Sequence, residues 1–149
     1  MIKKILVLVF SLLLLCGCNS KEKTIYEYYV TVDNIDVKVD LLFDYLRVSL
    51  DNYNDIKIED NKKIYIYNDM EIETYKKDGL EKVLGFWFTS NKYNTNEGVR
   101  IGDNIDKMVY VYGYNYDYNN GIYVYRLNNS SITFVTEDGI IRGIEYNLV

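Results

Sequence analysis

Reactive chemistry in this chain rests on a short list of side chains. Its 149 residues include no histidine, no proline, two cysteines, 17 tyrosines and 22 acidic residues. Without histidine, Ser–His and Cys–His nucleophile pairs are excluded, and the commonest protein metal ligand is missing. No Gly-x-Ser-x-Gly elbow and no Walker-type glycine loop occurs. Carboxylates are the acid–base groups that remain. Glu71 and Glu73 stand two apart, which places both on one face of a strand, as a carboxylate pair acting on a glycan would need. A solvated strand face accounts for them more simply. Asn115-Tyr-Asp-Tyr-Asn-Asn-Gly121 carries oxygen-bearing side chains at alternate positions, as a calcium loop does. Its glycine comes one residue late and Arg126 stands where the final bidentate acid belongs, so no metal and no other cofactor is expected.

The two cysteines lie near the start. Lys3 and Lys4 form a positive n-region, and Ile5 to Leu15 is an apolar run broken by Ser11. That run is too short to cross about 30 Å of hydrocarbon and fits the h-region of a signal peptide. Leu15-Cys16-Gly17-Cys18 resembles the lipobox of bacterial lipoproteins, with Cys16 departing from the Ser, Ala or Thr more usual there. The resemblance implies that residues 1–17 are a lipoprotein signal peptide and that the Cys18 thiol carries the lipid. Residues 18–24 would then be a short acylated tether, and the folded part would sit within about 20 Å of the membrane. The expected location is the extracytoplasmic face of the cell membrane, lipid-anchored. Heavy use of Ile, Lys, Asn, Asp and Tyr suits an AT-rich genome and points to a low-GC Gram-positive bacterium. A net charge of −5 gives no reason to bind nucleic acid, and loss of Lys3 and Lys4 makes the chain more acidic still.

The elements that must position any site read as one pattern written twice, over 25–90 and 91–149. Ile64-Tyr-Ile-Tyr67 matches Ile122-Tyr-Val-Tyr125. Ile72-Glu-Thr-Tyr75 with Asp78-Gly79 matches Ile132-Thr-Phe-Val135 with Asp138-Gly139, and Val83 to Phe88 matches Ile141 to Tyr146. In the second copy Gly102-Asp-Asn104 offers a cap, Ile105, Met108, Val109 and Tyr112 form a helical stripe, and Gly113 supplies a left-handed stop. In the first, Asp40 is the cap and Phe43, Leu46 and Leu50 the stripe. Three strands are expected after each helix, with the Asp-Gly pairs as hairpin turns. Tyr26 to Val32 alternates as a further strand, turned back by Asp33-Asn34. The expected fold class is α+β: two tandem repeats, each a short helix packed on an antiparallel three- to four-stranded sheet.

A cap, a short helix and then antiparallel strands is similar to the SmpA/BamE-like lipoprotein fold, and the doubled form resembles the β-lactamase-inhibitory protein. Gly98-Val-Arg-Ile-Gly-Asp103, with a helix ending at Gly113, carries the likeness; Asp40 in place of Gly102 and the lack of proline after Gly113 depart from it. Strand alternation puts Tyr65, Tyr67, Tyr123 and Tyr125 on one face, aliphatics on the other, and Trp87 opposite Phe86 and Phe88. One layer of helices covers one face of a sheet. Tyr65, Tyr67, Trp87, Tyr123 and Tyr125 are therefore the candidate binding face, with a tyrosine core as the alternative. The expected protein is a non-enzymatic, membrane-anchored lipoprotein that binds an envelope protein. Its alternatives are a carboxylate-dependent cell-wall glycan enzyme and a structural lipoprotein without a specific partner.

Overall fold

The computed structural model of the protein describes residues 24–50 and 52–149. The signal segment, the lipobox and Cys18 lie outside them. The chain begins with a small hairpin, β1 (Val30–Val32) and β2 (Ile35–Val37), closed by Asp33 and Asn34 at φ 49° and 68°. The strand expected over 26–32 is thus confined to its last three residues. Helix α1 (Phe43–Ser49) precedes β3 (Asp55–Glu59), β4 (Lys62–Ile66), β5 (Met70–Lys77) and β6 (Leu80–Phe88). Helix α2 (Ile105–Tyr112) precedes β7 (Asp117–Asn119), β8 (Ile122–Leu127), β9 (Ser130–Glu137) and β10 (Ile140–Leu148).

The expected α+β class is corrected. The described residues are mostly β, 12% helical and 49% strand, and their main strands form one eight-stranded antiparallel sheet instead of two separate sheets. The order is β3-β4-β5-β6-β10-β9-β8-β7. Two features produce the difference. Strands β3 and β7 were not among the three expected after each helix, and β6 pairs with β10, which fuses the two meanders. That seam is short: Trp87 faces Glu145, Phe86 faces Tyr146 and Gly85 faces Asn147. Phe86 and Tyr146 stack across it with ring centroids 4.4 Å apart.

The seam is short because the segment before each helix takes over the pairing. The Asp40 N–H donates to the Val83 carbonyl at 2.8 Å, and the Val83 N–H to the Leu41 carbonyl at 2.9 Å. In the other half the Gly102 N–H donates to Ile141 and the Ile141 N–H to Asp103, at 2.8 and 2.9 Å. Asp40 and Gly102 both hold positive φ, 60° and 96°. Asp40 is therefore not the cap of α1. That position falls to Leu42, which makes no side-chain cap bond. The Asp40 carboxylate instead accepts from the Tyr75 hydroxyl at 2.8 Å and from Lys82 Nζ at 2.9 Å. In α2, Asn104 caps the Lys107 N–H at 2.9 Å and Gly113 ends the helix at φ 82°.

The core lies on the helix side of the sheet. Phe43 and Leu46 from α1, Leu50 just past its end, Met108 from α2, and Val30, Val32 and Val37 from the hairpin pack there. A continuous row of sheet residues meets them: Tyr65, Ile72, Phe86, Tyr146, Ile132 and Tyr125, each paired in register with the next. All six are buried. Burial of this row and its covering residues is the main source of stability, at about 25 cal/mol per Å² of apolar surface.

Candidate functional site

The covered face holds the tyrosines. Tyr65 and Tyr125 are 4% and 2% exposed, so the expected solvent-facing tyrosine surface is corrected at both: their rings belong to the core. The Tyr125 hydroxyl donates to the Gly113 carbonyl at 2.9 Å, tying β8 to the end of α2. Phe43 stacks on Tyr65 at 4.1 Å. Tyr67 packs against the same core, and its buried hydroxyl has no partner among the described residues. Burial, with a smaller contribution from Tyr65, pushes the Tyr67 phenol up to about 12. Tyr123 is half-buried and rests against Tyr116 and Tyr118, centroids 5.0 and 4.8 Å away. Sequence alternation separates tyrosine from aliphatic correctly along β4 and β8, but both kinds can fill a core. The helices chose the tyrosines.

The Tyr65 hydroxyl leads to a polar cluster that the sequence did not announce. It donates to Glu81 Oε1 at 2.9 Å, beside the Thr74 hydroxyl at 2.7 Å, while Lys63 Nζ reaches Glu81 Oε2 at 3.1 Å. The cluster borders an open cavity of about 400 Å³ with Asn61 and Tyr75. Burial pushes the Glu81 carboxyl up, but hydrogen bonds from Thr74, Lys63 and Tyr65 outweigh it and hold it below its usual range. The Lys63 ammonium is held up, chiefly by its bond to Glu81. A general acid for glycan cleavage needs the opposite shift. Asp40, Asp69 and Asp103 are shifted down as well, with bonded lysines contributing in each case. The signal that could have found this cluster is Lys63 and Thr74 standing where the inward alternation calls for apolar residues.

Trp87 lies on the other side of the sheet. Its neighbours Phe86 and Phe88 point into the core, so the indole points out. Ile64, Ile66, Trp87 and Val124 are half-buried yet stand apart from the core cluster, on a face that no described element covers. Directly across from Trp87 in register are Glu71 on β5 and Glu145 on β10. Neither carboxylate forms an ion pair among the described residues. Further out, Glu73 pairs with Lys62 at 3.0 Å, and Asp117 pairs with Arg126. The Glu71–Glu73 pair thus sits on an open sheet rather than in a concave pocket. Asp117, a member of the calcium-like run, is committed to Arg126. Among the described residues no group of three or more acidic or cysteine side chains converges to hold a metal. No described helix is long and apolar enough to cross a membrane.

The sequence matches no protein-family model and no curated protein. The fold is similar to a solved structure described as an extracellular protein containing a SCP domain from Bacillus anthracis str. Ames. The TM-score is 0.50 at 10% identity, over 88% of this chain and 50% of that one. This chain therefore spans about half the length of that neighbour. At this identity the likeness extends to the fold alone.

Proposed function

We propose that the protein is a lipoprotein anchored through Cys18 on the extracytoplasmic face of the cell membrane, where it acts as a non-enzymatic binding module. The observation that carries the binding role is the uncovered sheet face centred on Trp87, opposite the face that packs the core. An uncovered apolar surface with an aromatic anchor is the usual form of an interaction site. The downward-shifted, hydrogen-bonded carboxyls argue against acid–base work. The lipobox and the short tether support the anchor, and the fold neighbour is itself described as extracellular.

Two measurements test the reading. Fatty-acid labelling of cells should mark the wild type and not Cys18→Ser; label retained in that variant removes the anchor. A photo-crosslinking residue at Thr133, on the open face, should trap an envelope component in intact cells. The same residue at Tyr110, exposed on α2, should not. Equal adducts at both positions, or none at Thr133, remove the binding face.

A further inference from the structure

We propose that the open face recognises a lysine- or arginine-rich polypeptide segment, one cationic side chain of which sits over Trp87 between Glu71 and Glu145. This rests on the open-face reading above and names its chemistry. In register, Trp87 occupies β6 with Glu71 on one neighbouring strand and Glu145 on the other. Strands lie about 4.8 Å apart, so the two carboxylates flank the indole at a span of about 10 Å. A cation within about 6 Å of an indole ring is attracted by the ring itself, and here each flank adds a carboxylate. Further out on this face, Lys62–Glu73 and Arg126–Asp117 are matched pairs, while Asp55, Lys57 and Glu59 on the edge strand β3 form no ion pair among the described residues and sum to one negative charge. The unmatched charge beside Trp87 is therefore negative, and so is the sum over the face.

Other occupants fit less well. A second copy placed face to face over Trp87 brings these carboxylates against their own kind. Anionic lipid headgroups meet the same repulsion. Ile66 and Val124, further along the row that holds Trp87, offer apolar contact to the aliphatic stems of lysine and arginine. A polypeptide segment supplies both stem and charge.

Trp87 is the chain's single tryptophan, so its fluorescence reports this place alone. Titration of the intact protein with a lysine hexapeptide should change the emission saturably, and added salt should weaken the response. The double variant E71Q/E145Q should bind at least about tenfold more weakly, whereas D44N/D106N, which removes two charges from the helix side, should bind as the wild type does. Thermal melts of both variants establish that each is folded. No saturable change in the wild type, an equal loss in D44N/D106N, or a response that E71Q/E145Q retains overturns the proposal. Thr133 adducts that persist undiminished in E71Q/E145Q also overturn it, while leaving the open face itself as the binding surface.

Discussion

The ring of Tyr146 lies on that of Phe86, 13° from parallel, where the two halves of the sheet meet, and its hydroxyl is buried with no partner among the described residues. The stack contributes through area and dispersion, while the orphaned hydroxyl detracts. Tyr146→Phe should therefore raise stability, by about 1 kcal/mol, and Tyr146→Ala should lower it by about 3–5 kcal/mol. Denaturant unfolding of the two variants measures both. A Tyr146→Phe variant that is clearly less stable would mean the hydroxyl is satisfied by a bound water.

Tyr125 gives the contrasting case. Its hydroxyl holds the Gly113 carbonyl, so Tyr125→Phe should cost about 1 kcal/mol where Tyr146→Phe gains. Tyr65→Ala and Tyr125→Ala, as core truncations, should each cost about 3–5 kcal/mol. The same unfolding measurements read them out, and near-neutral alanine variants would return these rings to the surface.

Gly85 is held at the seam by space, not by an unusual backbone. A Cβ there would lie 2.7 Å from Asn147 Oδ1 and 2.8 Å from the Tyr146 carbonyl, and a backbone atom cannot swing aside. Gly85→Ala should cost about 1–3 kcal/mol. Gly143→Ala meets only Val135 at ordinary contact distance and should be close to neutral by melting temperature.

Glu81 links stability to pH. Its folded carboxyl is held below the ordinary glutamate value of 4.5, so its contribution is present in full above that value and is lost as pH falls through the depressed one. Lys63 acts at the opposite end. Its raised value keeps the pair intact below 10.5 and yields it as pH climbs beyond. The melting-temperature gap between wild type and Glu81→Gln should thus be widest near neutrality and close in acid. A gap that stays constant on acidification would assign Glu81 a packing role only.

Local chemistry was legible in the residues; long-range pairing was not. The Met108 stripe, the Gly113 stop and both Asp-Gly turns, with Asp78 and Asp138 at φ 53° and 50°, follow from side-chain spacing and glycine conformational freedom. Strand β3 alternates Ile56 and Ile58 with Asp55, Lys57 and Glu59, a period of two that its Asn- and Asp-rich flanks concealed. The match of Tyr67 to Tyr125 was two residues off. Tyr65 faces Ile72 as Tyr125 faces Ile132, so those two are the counterparts, and a slip of two keeps the face while changing the partner. Which face the helices cover, and whether β6 meets β10, depend on contacts between residues far apart in the chain. Periodicity carries no such information.

The seam also sets an order of assembly. A chain emerging from its amino end completes β3 to β6 long before β10 appears, and for that interval the Gly85–Trp87 stretch of β6 is a bare edge. Closing it requires a partner some sixty residues downstream, a pairing of high contact order and correspondingly slow formation. Unpaired edges of this kind invite pairing with other chains. The half-built sheet is the form of this protein most in need of an escort, and its last strand is the one that ends that need.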